Sequence, residues 1–161
     1  MKNYVVRLKH LTVRCFIVQK TLIKKQDTSM IEQSLQAFAL WTGLNLMMTL
    51  LLGLNVTRWR GKEGVSVGSG TSPGLERAIR AHGNNIEYVP GALIGVLALV
   101  ALGYSALTIH VLGVLLLIAR ACHAYGIQQL ETPLPKSRVL GNILTWLIYL
   151  VVSCLLVFSF F

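Results

Sequence analysis

The chain has 161 residues, enough for one compact domain, and 54% of them are apolar while only 13% are charged. Soluble domains usually carry about a quarter charged residues, so this composition excludes an ordinary soluble domain. The net charge of +9 does not predict nucleic-acid binding, because seven of the fifteen basic residues lie within residues 1–29 and no aromatic residues interleave with a basic patch. We expect no nucleic-acid partner.

Runs without a charged residue predict the membrane spans, and they cover residues 33–57, 88–119 and 139–161. A helix crosses the bilayer core with about 20 apolar residues. The 32-residue second run would reach about 48 Å as a single helix, well beyond a core of about 30 Å. It is therefore predicted to break at Gly103-Tyr104-Ser105 into two helices. The expected fold class is all-α, an integral membrane four-helix up-down bundle.

The predicted helix boundaries carry suitable local chemistry. Ser72 followed by Pro73 predicts the start of the second helix, and Glu76 in its first turn favours the helix dipole. Residues 132–135, Thr-Pro-Leu-Pro, cannot continue the third helix. Ser137 is the expected cap of the fourth helix.

The basic residues of the predicted loops indicate the orientation. The second loop, around Gly103, is uncharged, whereas the first and third loops are basic, with Arg58, Arg60, Lys62, Lys136 and Arg138. These two loops share one side of an up-down bundle, and the positive-inside rule assigns that side to the cytoplasm.

This orientation conflicts with the basic N-terminal extension, residues 1–29, which would lie on the opposite side. We therefore divide the chain into that extension and a membrane domain, residues 30–161. We expect the mature protein to begin at Met30, so that the extension is not translated. The alternative is that residues 1–29 form a basic amphipathic arm on a membrane surface.

Polar residues recur at helical spacing on three predicted helices. The second helix carries Glu76, Arg80, Asn84 and Glu87, the third Arg120 and His123, and the fourth Arg138, Gly141, Asn142, Thr145 and Tyr149. The corresponding helix ends meet at the cytoplasmic face. Because charged side chains at membrane depth normally face a protein interior or a watery cavity, the stripes predict an anion-binding pocket there. The alternatives are interhelical hydrogen bonds or snorkelling at the interface.

The histidines outside this pocket have other expected roles. His82 points away from the face of Glu87, so no metal site is expected. His110 lies among apolar residues and is expected to pack in the bundle or to contact another helix.

The segment from Glu76 to Pro90, ERAIRAHGNNIEYVP, resembles the second-helix signature of the MAPEG family, the membrane-associated proteins in eicosanoid and glutathione metabolism. Two further pieces resemble the family's third and fourth helix motifs in order and spacing. They are Arg120-Ala121-Cys122-His123-Ala124-Tyr125-Gly126 and Arg138-Val139-Leu140-Gly141 with Thr145. The small bacterial branch of the family is the most similar.

The resemblance implies a homotrimer in membrane lipid that binds glutathione between neighbouring protomers. The small residues Gly91, Gly95, Ala98 and Gly113 are also suited to close approach of helices. Carried over by motif, the glutathione-binding residues are Arg80, Asn84, Glu87, Arg120 and His123. Arg138 is the implied catalytic residue, close to the thiol.

The implied function is that of a glutathione-dependent transferase or peroxidase acting on lipophilic small-molecule electrophiles, in a multi-pass protein of a bacterial inner membrane. Two positions depart from the glutathione-using eicosanoid enzymes of the family, which tend to carry a further Arg where this chain has Gly83 and in some cases a Tyr where it has Asn142. These departures favour the alternative of a non-catalytic lipid-binding or scaffold protein. A small transporter is a third hypothesis, and it requires polar residues at mid-membrane depth.

Overall fold

The computed structural model describes residues 2–129 and 135–161, with side chains described for residues 19, 20, 28–129 and 135–161. Four helices follow one another in these ranges: α1 Lys2–Glu63, α2 Pro73–Ala101, α3 Ala106–Gln128 and α4 Lys136–Phe158. The described residues contain no strand. Each helix contains a stretch long and apolar enough to cross a membrane, and that of α1 begins at Thr28. The predicted all-α four-helix bundle is confirmed.

Two of the predicted boundaries are confirmed by their caps. The Ser72 side chain accepts a hydrogen bond of 3.3 Å from the backbone N–H of Leu75, and Pro73 is the first residue of α2. Between α2 and α3 the chain turns at Gly103, whose φ of 81° favours glycine. Ser105 then caps α3 by accepting from the backbone N–H of Thr108.

The predicted cap of α4 is wrong. Pro135 occupies the cap position and no side chain caps this helix. Ser137 lies inside the first turn, with its hydroxyl 2.7 Å from the position that a Cβ on Gly126 would take. Of the predicted stop at residues 132–135, only Pro135 belongs to the described residues.

Helix α1 extends beyond the charge-free run of residues 33–57 and ends at Glu63. Its last turn carries Arg60 and Lys62, whose charges suit the carboxyl end of a helix. The Arg60 guanidinium donates to the carbonyls of Val65, Ser66 and Gly68 at 2.9–3.3 Å, which organises the loop before α2. Upstream, the helix runs through residues 2–29 without a break. The expected start at Met30 stays a prediction.

Close packing at glycines determines how the four helices lie together. Helix α3 packs against the other three helices and α2 does the same, whereas α1 and α4 make no contact within the described part of the chain. Gly113 of α3 lies against Trp41 of α1, and Gly91 and Gly95 of α2 lie against Tyr149 and Val152 of α4. These glycines therefore serve packing between helices of the same chain.

Candidate functional site

The buried guanidinium of Arg120, two turns before the end of α3, is the centre of a polar cluster. Its residue is 0% exposed. Nη2 donates to Asn84 Oδ1 at 2.6 Å and lies 3.3 Å from His123 Nδ1, Nε donates to Asn85 Oδ1 at 3.4 Å, and Nη1 donates to Thr145 Oγ1 at 3.4 Å. Asparagine and threonine side chains carry no charge, so the direct partners on α2 and α4 provide no counter-charge.

Helix α4 reaches this cluster because Gly141 allows the backbones of α3 and α4 to approach closely. A Cβ on Gly141 would lie 2.6 Å from the carbonyl oxygen of Ala119 and 2.6 Å from the backbone nitrogen of His123. One turn later, Thr145 donates to the Gly141 carbonyl at 2.7 Å and its oxygen accepts from Arg120. The close approach at one glycine thus places the hydroxyl of α4 against the cation of α3.

Asn84 connects the buried cation to an acid on the surface of the protomer. Its Oδ1 accepts from Arg120, and its Nδ2 donates to Glu87 Oε2 at 3.4 Å. Glu87 is exposed, and so is Arg80, one turn before Asn84 on α2. Arg80 makes no hydrogen bond or ion pair with the residues that the structure describes, so its charge is available at the surface.

Arg138 lies in the first turn of α4, where the predicted stripe begins. It is half-buried, and its Nε is shielded from solvent without a hydrogen-bond partner among the described residues. Gly126 packs against it, since a Cβ there would lie 2.5 Å from the Arg138 backbone nitrogen. The guanidinium therefore belongs to the end of the bundle that holds His123, with no hydrogen bond to the Arg120 cluster.

Aromatic rings line one side of the cluster. The Arg120 guanidinium carbon lies 5.6 Å from the centre of the Tyr88 ring, a distance suited to a cation–π interaction. Tyr149 packs edge-on against Tyr88 and donates its hydroxyl to the Tyr88 carbonyl at 2.6 Å. A Cβ on Gly91 would lie 2.6 Å from that hydroxyl, so glycine is needed for this approach.

The structure thus brings together Asn84, Glu87, Arg120 and His123 through hydrogen bonds, while Arg80 and Arg138 stay outside that network. Sequence reasoning missed Asn85, which is 0% exposed. A signal was present, because Asn85 continues the spacing of small and apolar positions at Ala78, Ala81, Val89 and Ala92, all of them buried. Asparagine in such a series indicates a buried polar partner.

Helix α1 also contributes polar groups that the sequence reading did not include. Thr49 accepts from Asn85 Nδ2 at 2.9 Å and Asn45 is 0% exposed. Trp41 Nε1 donates to His110 Nδ1 at 3.0 Å, which confirms His110 as a partner of another helix. In the described residues no three His, Cys, Asp or Glu side chains are grouped as a metal would require.

Residues 38–158 match the sequence model of the MAPEG family, and all the residues of the cluster lie within this range. This chain belongs to the MAPEG family. Two curated relatives are the inner membrane protein YecN of Escherichia coli strain K12 and its counterpart in E. coli O6:H1. Each is 34% identical over 88 residues, which make up 55% of this chain and 67% of the relative.

Membership of the MAPEG family and the four spans make the chain a multi-pass inner-membrane protein in contact with lipid. The name of the relatives specifies no activity. The MAPEG family includes glutathione transferases and peroxidases as well as non-catalytic members, so membership alone specifies no activity.

Proposed function

We propose that this protein binds glutathione at the cytoplasmic end of the bundle and uses it as a membrane-embedded transferase or peroxidase acting on lipophilic electrophiles. The main support for this proposal is the Arg120 guanidinium. It is fully buried, and its hydrogen-bond partners Asn84, Asn85 and Thr145 are uncharged. A buried charge without a counter-charge is costly, and a bound anion would offset that cost.

The exposed groups on α2 match the charges of glutathione. Its two carboxylates suit a guanidinium fork, which Arg80 offers at the surface of the protomer, and its ammonium suits the carboxylate of Glu87. Arg120 lies behind Asn84 and attracts the anion from a region of low dielectric, where electrostatic attraction is stronger than in water. His123 fixes one side of that guanidinium.

The chemistry requires the thiolate, since the thiol itself is a poor nucleophile. Arg138 stands in the first turn of α4, so its own charge and the positive end of the helix both favour an anion. In the conjugation step the thiolate sulfur forms a bond to an electrophilic carbon and the leaving group departs with its electron pair. The thiol proton is released to water.

The lipophilic substrate would reach this thiolate from the bilayer. Next to Arg138, Val139, Leu140 and Ile143 are exposed on the surface of α4. In a membrane such side chains contact lipid, so an apolar molecule dissolved there can approach Arg138 without crossing water.

We also propose a homotrimer, which is the assembly implied by the family resemblance. Arg80 and Glu87 lie on the outside of one protomer, where a neighbouring copy could complete the glutathione site. Native mass spectrometry in mild detergent is expected to give a three-chain species. A protein that stays monomeric or dimeric in several detergents would contradict this assembly.

Calorimetry with glutathione on the full chain in detergent tests the ligand. We expect saturable binding to the wild type and at least a tenfold loss in Arg120→Ala, about 1.4 kcal/mol, because the variant removes the buried positive charge that attracts the anion. Arg58→Ala is the matched control, since Arg58 is an exposed cation on α1 outside the cluster. If wild type shows no affinity at millimolar glutathione, the assignment is wrong.

The second candidate is a non-catalytic lipid-binding or scaffold member of the family. It is favoured by the four hydrogen bonds of Arg120, which occupy four of the five N–H donors of its guanidinium with protein groups. Under this hypothesis the cluster only holds α2, α3 and α4 together. Arg120→Ala would then lower stability, and wild type would neither bind glutathione nor conjugate chlorodinitrobenzene.

A further inference from the structure

We propose that Thr49 of α1 and Asn85 of α2 form a positioning relay, which fixes the orientation of the Arg120 guanidinium toward the glutathione site. This inference rests on the proposed function. Helix α1 carries none of the motif residues, yet a single threonine connects it to the centre of the cluster. Thr49 and Asn85 do not touch the ligand in this proposal, so they are positioning residues.

In each hydrogen bond of this relay, only one of the two groups can be the donor. A guanidinium only donates, so Asn85 must turn its Oδ1 toward Arg120 Nε, which lies at 3.4 Å. The backbone carbonyl of Asn45 only accepts, so the Thr49 hydroxyl must donate to it, at 2.8 Å. The Thr49 oxygen is then left to accept from Asn85 Nδ2, at 2.9 Å. Each end of the chain therefore determines the amide orientation of Asn85.

The hydrogen bonds between Arg120 and the surface also have fixed directions. Nη2 donates to Asn84 Oδ1, and Asn84 Nδ2 donates to the carboxylate of Glu87, which only accepts. Nε and Nη2 form one edge of the planar guanidinium, and the neighbouring asparagines of α2 accept from both. The relay through Thr49 thus determines that the Nε–Nη2 edge of the guanidinium faces α2. Nη1 has two N–H groups, and only one of them is used by the hydrogen bond to Thr145.

The burial of Arg120 and Asn85 makes a change in this orientation costly in free energy. Arg120 and Asn85 are 0% exposed, so water cannot replace a lost partner without opening the bundle. If Thr49 loses its hydroxyl, the buried Nδ2 of Asn85 loses its acceptor, and the amide is held from the Arg120 side alone. An inverted amide would place its NH2 group against the guanidinium, and the cation would have to move away from Asn84.

Calorimetry with glutathione on the full chain in detergent provides the first test. Thr49→Val removes the hydroxyl and keeps the shape, and we expect affinity to fall about fivefold. Thr49→Ser keeps the hydroxyl and should restore binding to within about twofold. Thr57→Val is the matched control, because among the described residues the Thr57 hydroxyl bonds only to the Gly53 carbonyl of the same helix. Equal losses in the two valine variants would overturn the relay.

A second measurement does not depend on glutathione. Hydrogen exchange of the Arg120 Nε–H is followed by nitrogen-15 NMR, with the signal assigned by its loss in Arg120→Lys. We expect exchange to accelerate at least tenfold in Thr49→Val, with wild-type protection in Thr57→Val. Unchanged exchange in Thr49→Val would overturn the relay even if glutathione binds.

A double-mutant cycle separates positioning from packing. If Thr49 acts through Asn85, Thr49→Val should have no further effect on either readout in an Asn85→Ala background. A simple packing role predicts additive effects and would contradict the proposal. A wild type that binds no glutathione but shows the exchange effect would refute the proposed function while leaving the Thr49–Asn85–Arg120 connection in place.

Discussion

Arg120 Nη2 and Asn84 Oδ1 lie 2.6 Å apart across the interface of α2 and α3, and this is the shortest hydrogen bond that Arg120 makes. Asn84 passes the interaction on to Glu87 at the surface. One amide group therefore couples a buried cation to an exposed acid, and both its oxygen and its nitrogen are used.

Replacing Asn84 by Ala should destabilise the protein and weaken glutathione binding. Nη2 would lose its best acceptor while buried, which costs roughly 1–3 kcal/mol. Thermal unfolding in detergent should show a lower Tm, and calorimetry a reduced affinity. Asn142→Ala is the control, since Asn142 is half-buried on α4 and has no hydrogen-bond partner among the described residues. Equal effects of the two variants would argue against a special role of Asn84.

Asn85→Asp should largely keep the stability of the protein and lose anion binding. The new carboxylate would lie where Asn85 Oδ1 now accepts from Arg120 and would neutralise the guanidinium at short range. We expect Asn85→Asp to keep a higher Tm than Asn85→Ala, because Nε retains a partner. Glutathione affinity should nevertheless fall at least tenfold. If Asn85→Asp binds glutathione like wild type, the charge of Arg120 does not attract the ligand.

Local chemistry explains why the start of α2 was predictable. Ser72 and Pro73 act within one turn of chain, and the sequence shows both. The end of α1 was harder to predict. A charge-free run measures the part of a helix that prefers lipid, whereas the helix itself continues to Glu63 because its last turn tolerates basic residues.

The centre of the site was only partly predictable for a different reason. Helical spacing correctly grouped Asn84 with Glu87 and Arg120 with His123. Asn85 lies about 100° further round α2, and its burial depends on where α1 and α3 pack. That packing follows from the fit of Gly113 to Trp41, which no single-helix pattern contains.

Gly141→Ala should separate α3 from α4. The added Cβ would lie within 2.6 Å of backbone atoms of Ala119 and His123, and backbone cannot move away as a flexible side chain can. We expect a loss of roughly 1–3 kcal/mol in the free energy of unfolding, measured in mixed micelles. Gly43→Ala on α1 is the control, because a Cβ there meets nothing within 4 Å. It should be neutral or slightly stabilising.

Gly83→Arg should increase glutathione affinity without harming the fold. A Cβ at Gly83 meets no atom within 4 Å, and arginine favours a helix more than glycine does. The new cation would lie three residues after Arg80 on α2, where it would add positive charge beside the proposed contacts of the glutathione carboxylates. We expect about a tenfold gain by calorimetry. Gly83→Gln, which adds bulk without charge, is the control.

Arg138→Ala tests the chemical step. Removing the cation at the start of α4 should raise the pKa of the bound glutathione thiol by about one unit or more, since a nearby positive charge favours the thiolate. At neutral pH, bound glutathione should then lose its ultraviolet thiolate absorbance, and conjugation of chlorodinitrobenzene should fall in proportion. Titration of that absorbance should show its midpoint shifted to higher pH.

The alternative role of Arg138 is to anchor α4 to lipid phosphates, and the variants distinguish the two. Anchoring predicts lower yield or stability of Arg138→Ala with unchanged thiolate absorbance per bound glutathione. Thiolate stabilisation predicts retained glutathione binding with loss of absorbance. Lys136→Ala is the control, because Lys136 is an exposed cation at the start of the same helix. Arg138→Lys keeps the charge and should recover part of the signal, whereas wild-type absorbance in Arg138→Ala would exclude Arg138 from the mechanism.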